Sequence, residues 1–82
     1  MKLIWVSRNT EKVEDHGVTS DEVEAGFDAP DWTEGPSEMP LRTMGEGTAP
    51  GGRLLRMVFA ETEDGIFPTT AYPVRPRQRR TP

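Results

Sequence analysis

The sequence has no cysteine. Disulfides and thiolate metal sites are excluded with it, and so are the usual supports of small secreted domains; this composition fits a cytoplasmic protein. There is one histidine and one tyrosine, and aromatic residues make up only 7% of the chain. No paired Cys/His spacing, HExxH, P-loop or GxGxxG pattern occurs, so no metal or nucleotide cofactor is expected. Long apolar runs are also missing. The first, Leu3-Ile4-Trp5-Val6, is broken by Ser7 and Arg8 and is too short for a signal peptide or a membrane span. With 33% hydrophobic residues in 82, the chain can build one domain with a modest core. Eight Gly and eight Pro add turn content, and part of such a chain is expected to be loosely ordered or held by a partner.

What is present is a reversal of charge. Residues 1–38 carry a formal −7 and residues 39–82 a formal +3, for a net charge of −4. All seven cations of the second part are arginines, and Arg75, Arg77, Arg79 and Arg80 crowd the last eight residues. Arginine stays charged at any working pH and presents a planar fork that matches phosphate and carboxylate. An acidic front with an arginine-rich back points to an anionic ligand, either RNA or an acidic protein surface.

Leu3–Val6 reads as a short buried strand. Ser7–Asp15 reads as a two-turn helix with Val13 as its main apolar residue, stopped by His16-Gly17. Thr19 and Glu22 have capping-box spacing, so a second helix is expected over Ser20–Phe27, with Val23 and Phe27 on one face. Residues 28–40 read as a Pro- and acid-rich loop around Trp32. Leu41–Met44 is a candidate strand, and 45–52 a flexible stretch. Gly52–Ala60 is the clearest strand, with Leu55, Met57 and Phe59 on one face and Leu54, Arg56 and Val58 on the other. Glu63-Asp64-Gly65 is a hairpin signal. Ile66–Tyr72 returns as a strand that Pro68 confines to an edge or a bulge, and Pro73 is expected to end it. The expected fold is α+β, a single domain over 1–74 with a basic tail at 75–82: two N-terminal helices packed on a small, mainly antiparallel sheet in the order β-α-α-β-β-β.

Several pieces in this order resemble one family. They are the Trp-bearing first strand, His16-Gly17-Val18-Thr19 leading into Asp21-Glu22-Val23-Glu24, Phe27-x-x-Pro30, Arg42-x-x-Gly45, Gly52-Arg53-Leu54-Leu55, and Thr70-Ala71-Tyr72-Pro73 before an Arg-rich end. The set is similar to the BrnT-type toxins of bacterial toxin–antitoxin pairs, which are small RelE-like ribonucleases. The resemblance implies a compact sheet on two helices, metal-independent RNA cleavage and neutralisation by a cognate antitoxin.

Metal-independent cleavage needs a group to take the 2′-hydroxyl proton, a group to protonate the leaving 5′-oxygen, and cationic stabilisation of the crowded phosphate. His16 is a candidate acid or base; its plainer reading is a helix C-cap that bonds a free carbonyl. Arg42, Arg53 and Tyr72 complete the candidate catalytic set, with His16 or Lys12 beside them. Arg53 and Arg56 are three apart on one strand and must point to opposite faces. Arg56, Arg75, Arg77, Arg79 and Arg80 are candidate phosphate contacts, and Tyr72 can donate a proton or stack on a base. Each also has a plain structural use, as a solvated charge or a packed ring. The acids of the two helices would repel nucleic acid; that face reads most simply as a solvated surface, and alternatively as a dock for a basic antitoxin segment. A non-catalytic acidic interaction protein on the same fold is therefore the alternative to a ribonuclease acting on RNA, free or on the ribosome.

Overall fold

The computed structural model describes residues 2–74. Helix α1 (Ser7–Asp15) is followed by α2 (Ser20–Phe27), and four strands come after them: β1 (Thr33–Pro36), β2 (Thr43–Thr48), β3 (Leu54–Thr62) and β4 (Gly65–Val74). The strands form one antiparallel sheet in the order β1-β2-β3-β4. The fold is α+β, with the two helices N-terminal to the sheet, as the sequence leads one to expect.

Both helices have the expected bounds because their ends are written locally. At the end of α1, Gly17 takes a left-handed φ of 80°. Its N–H reaches the Glu14 carbonyl at 2.9 Å, and the Val18 N–H reaches that of Val13 at 3.1 Å. This pair of bonds is the Schellman closure that glycine permits. Helix α2 opens on the capping box: the Glu22 N–H donates to Thr19 Oγ1 at 3.1 Å, and the Thr19 N–H donates to the Glu22 carboxylate at 3.3 Å. Val13, Val18 and Val23 are buried against Leu55, Met57, Phe59 and Ala71 of the sheet.

The strands depart from expectation in several places. The Leu3–Val6 strand is reduced to one parallel bridge, Leu3 to Ile66. The cause is Pro68. Ile66 donates to the Lys2 carbonyl and Ile4 donates to the Ile66 carbonyl, each at 2.8 Å; the next rung of that ladder requires an N–H at position 68, which proline lacks. Asn9, 1% exposed, fills the gap. Its Nδ2 donates to the Ile4 carbonyl at 2.9 Å and to the Pro68 carbonyl at 3.0 Å, and its Oδ1 accepts the Val6 N–H at 2.8 Å. So Asn9 fastens the start of α1. Replacing Asn9 by Ala strands two carbonyls and an N–H, and about 3 kcal/mol of stability should be lost. Asn9→Asp, which cannot donate to those carbonyls, should be no better in urea unfolding; a midpoint near wild type for Asn9→Asp would contradict this assignment.

Residues 33–36, expected as loop, are the edge strand β1, and the stretch expected to be flexible from Gly45 is the body of β2. The reason is Trp32. Its ring is edge-on to Phe27 with centroids 4.9 Å apart and lies against Phe59 at 6.2 Å. A Cβ on Gly45 would overlap that ring, and one on Gly47 would meet the Gly26 carbonyl. The two glycines thus let Trp32 and α2 approach the sheet. Between Val58 and Phe59 the β3–β4 register shifts, leaving Thr69 as a bulge beside Pro68. Pro73 does not end β4, which includes Val74.

Asp31 clamps the start of β1 to the end of β2. Its carboxylate accepts from the Thr48 N–H at 2.9 Å and from Thr48 Oγ1 at 2.5 Å. These bonds, the hydroxyl first, hold the carboxyl below its ordinary 3.8. A depressed folded-state value means that the stabilisation is present above 3.8 and is lost as pH falls through the lower folded value. The urea midpoint should therefore drop between pH 5 and about pH 3 more steeply for wild type than for Asp31→Asn; identical acid profiles would contradict the clamp.

Candidate functional site

The helices cover only one face of the sheet. On the other, strand register builds a row: Glu46 on β2 pairs with Arg56 on β3, and Arg56 pairs with Tyr72 on β4. Directly paired residues project to the same face, within reach of one another. Arg56 donates through Nε to Glu46 Oε2 at 2.7 Å, and its terminal nitrogen meets the same oxygen at 2.5 Å. Among the described residues, Glu46 Oε1 has no hydrogen-bond partner. Glu46 first, and the Tyr72 hydroxyl second, raise the Arg56 guanidinium above its ordinary pKa. His16, the residue that closes α1, continues the row: its ring lies 5.8 Å from that of Tyr72 at an interplanar angle of 56°. His16 is the C-cap of α1, as one of its two expected readings has it, and its side chain is exposed beside Tyr72.

Beside this row lies a groove of about 460 Å³, lined by Pro36, Ser37, Glu38, Met39, Met44, Arg56, Val58 and Tyr72. The next row, Met44–Val58–Thr70, is its neighbour on the same face. Val58 is buried although the helices do not cover it, and Thr70 Oγ1 is buried without a partner among the described residues.

Of the expected catalytic residues, the structure brings His16 and Tyr72 together with Arg56. It does not bring Arg53. That guanidinium lies on the helical side, donating to the Glu22 carboxylate at 2.6 Å and to the Gly17 carbonyl at 2.9 Å. The Arg53 hydrogen bond holds the Glu22 carboxyl below its ordinary value. Strand alternation enforces the separation from Arg56. Arg42 is one residue before β2, bonded through Nε to Thr69 Oγ1 at 3.0 Å, and touches none of the Glu46–Arg56–Tyr72 set directly. Arg75, Arg77, Arg79 and Arg80 lie outside the described residues.

Glu46 is the residue that sequence reading passes over, because Gly45-Glu46-Gly47 looks like a flexible turn. The signal that identifies it is the alternation itself: two glycines on a face that must admit a helix, with a lone carboxylate between them on the other. No helix among the described residues is long and apolar enough to cross a membrane. Compared with protein-family models, with curated proteins and with solved structures, the chain gave no match in any of the three.

Proposed function

We propose that this protein is a metal-independent endoribonuclease and, in line with the resemblance of its sequence to BrnT-type toxins, the toxin half of a toxin–antitoxin pair. The observation that carries this reading is the Glu46–Arg56–Tyr72 row on the uncovered face, with the His16 ring beside Tyr72 at its end. It supplies the three functions that the reaction requires, in spatial order. Glu46 Oε1 accepts the 2′-hydroxyl proton as O2′ attacks phosphorus. Arg56, with the Tyr72 hydroxyl, takes the charge that builds on the phosphoryl oxygens. The P–O5′ bond breaks, the 5′-oxygen takes a proton from the His16 imidazolium, and the other product ends in a 2′,3′-cyclic phosphate. The arginines at 75–80 follow Tyr72 closely in sequence and are the natural contacts to flanking phosphates. The exposed acids of α1 and α2, Glu11, Glu14, Asp15, Asp21 and Glu24, suit a basic segment of the antitoxin.

The test is incubation of purified protein with RNA in excess EDTA, with and without ribosomes, followed by analysis of the product ends. Fragments ending in 2′,3′-cyclic phosphate are the expected result. Intact RNA in both incubations, from demonstrably folded protein, overturns the ribonuclease reading and leaves the acidic interaction protein in its place.

A further inference from the structure

We propose that the groove beside the row is a base-selecting subsite, which takes the nucleobase next to the cleaved phosphate and prefers bases that carry donors, guanine above all. The inference rests on the ribonuclease reading for its place in a reaction, but its geometry stands separately.

The groove adjoins Arg56 and Tyr72 at one side and continues over Met44 and Val58. Residues two apart on a strand project from the same face roughly 7 Å apart. A phosphate at Arg56 therefore leaves its own nucleoside over the Met44–Val58 row. That floor is apolar and Met44 is adaptable, which suits the flat face of a base. The volume, about 460 Å³, lies within the range of small-ligand sites, roughly 300–1,000 Å³.

Charge decides which part of a nucleotide can enter. Glu38 lines the groove, and Glu46 stands on Arg56. Among the described residues, Arg56 is the sole cation lining it. A second phosphate is repelled from such a place, whereas a neutral base with N–H donors is attracted. An ionised carboxylate only accepts hydrogen bonds, and two parallel donors on one edge bind it best. Guanine offers that pair, N1–H and the N2 amino group. Adenine and cytosine offer one amino group, and uracil offers a single N3–H flanked by two carbonyls. The loop that carries Glu38 is turned by a hydrogen bond from the Met39 N–H to Ser37 Oγ at 3.0 Å. Glu38 itself makes no hydrogen bond among the described residues and is exposed. Its replacement therefore removes no hydrogen bond among the described residues.

The experiment is an NMR titration of the full chain with 3′-GMP, 3′-AMP, 3′-CMP and 3′-UMP, following the methyl signals of Met44 and Val58. The expected result is binding of 3′-GMP roughly tenfold tighter than 3′-UMP, with those methyls shifted. Glu38→Gln should bring the two affinities within about twofold of each other. Equal wild-type affinities, or a preference untouched by Glu38→Gln, overturns the subsite. Because binding needs no turnover, the two readings fail separately. Selective 3′-GMP binding by a protein that leaves RNA intact upholds the subsite and overturns cleavage. Cleavage without base preference does the reverse.

Discussion

Gly47→Ala is expected to remove most of the protein's stability. The added methyl would lie on the Gly26 backbone carbonyl and at 3.1 Å from the Trp32 ring. Overpacking of a core costs about 1–3 kcal/mol when side chains can move aside. Here the obstacle is the backbone of α2, so the helix itself must lift from the sheet, and the cost should reach about 3 kcal/mol or more. A domain of this size has on the order of 5 kcal/mol to lose. Lifting α2 also opens the contact of Trp32 with Phe27. In urea unfolding, followed by tryptophan fluorescence, the midpoint of Gly47→Ala should fall to less than half that of wild type. The control is Gly35→Ala, where a Cβ meets nothing within 4 Å and φ is not in the left-handed region. That change should be neutral or slightly stabilising, since alanine has less backbone freedom to lose. A near-wild-type midpoint for Gly47→Ala would mean that α2 does not rest on the β2 backbone.

The second large effect is on activity. Arg56→Ala should lower metal-free RNA cleavage by about 10²–10³-fold, the loss typical when one preorganised donor to a developing oxyanion is removed. Glu46, to which Arg56 donates, is itself partly exposed. The substitution should therefore change the unfolding midpoint little, and the loss can be assigned to the site. Arg53→Ala is the informative comparison. Arg53 has the same chemistry and lies three residues away, but it is bound to Glu22 and the Gly17 carbonyl on the opposite face. Its loss should leave cleavage essentially unchanged. Equal defects in the two variants would show that RNA binds by overall positive charge and not at the row.

Which parts of the fold could be read from sequence follows from where the determining contacts lie. The helices were legible because their signals are local: Gly17 at one end, and Thr19 with Glu22 at the other start. The β3–β4 hairpin was legible from its alternation, its Gly65 turn and the disruption expected of Pro68. Strands β1 and β2 were not. Gly45 and Gly47 of β2 signal flexibility in isolation and close packing only once Trp32 and Gly26 are brought to them, and β1 follows directly from the seat Trp32 finds there. The loss of the first strand was likewise hidden, because Pro68 acts on it from more than sixty residues away. The site divides in the same way. Tyr72, Arg56 and His16 stand out by residue type, and the opposite orientations of Arg53 and Arg56 follow from strand period alone. Which of the two arginines faces the groove depends on the side the helices cover. Glu46 is marked in the sequence by the two glycines that flank it, and the pairing register then sets it against Arg56.

The measurement that bears most directly on the roles assigned to the row compares two substrates. One is RNA, whose 5′-oxygen leaves poorly without a proton. The other is a nucleoside 3′-(p-nitrophenyl) phosphate, whose leaving group needs none. If His16 is the acid and Glu46 the base, His16→Gln should lose about 10²–10⁴-fold on RNA and remain close to wild type on the activated ester. Glu46→Gln should be impaired on both. Equal losses of the His16 variant on both substrates, or full activity of the Glu46 variant, would contradict the account.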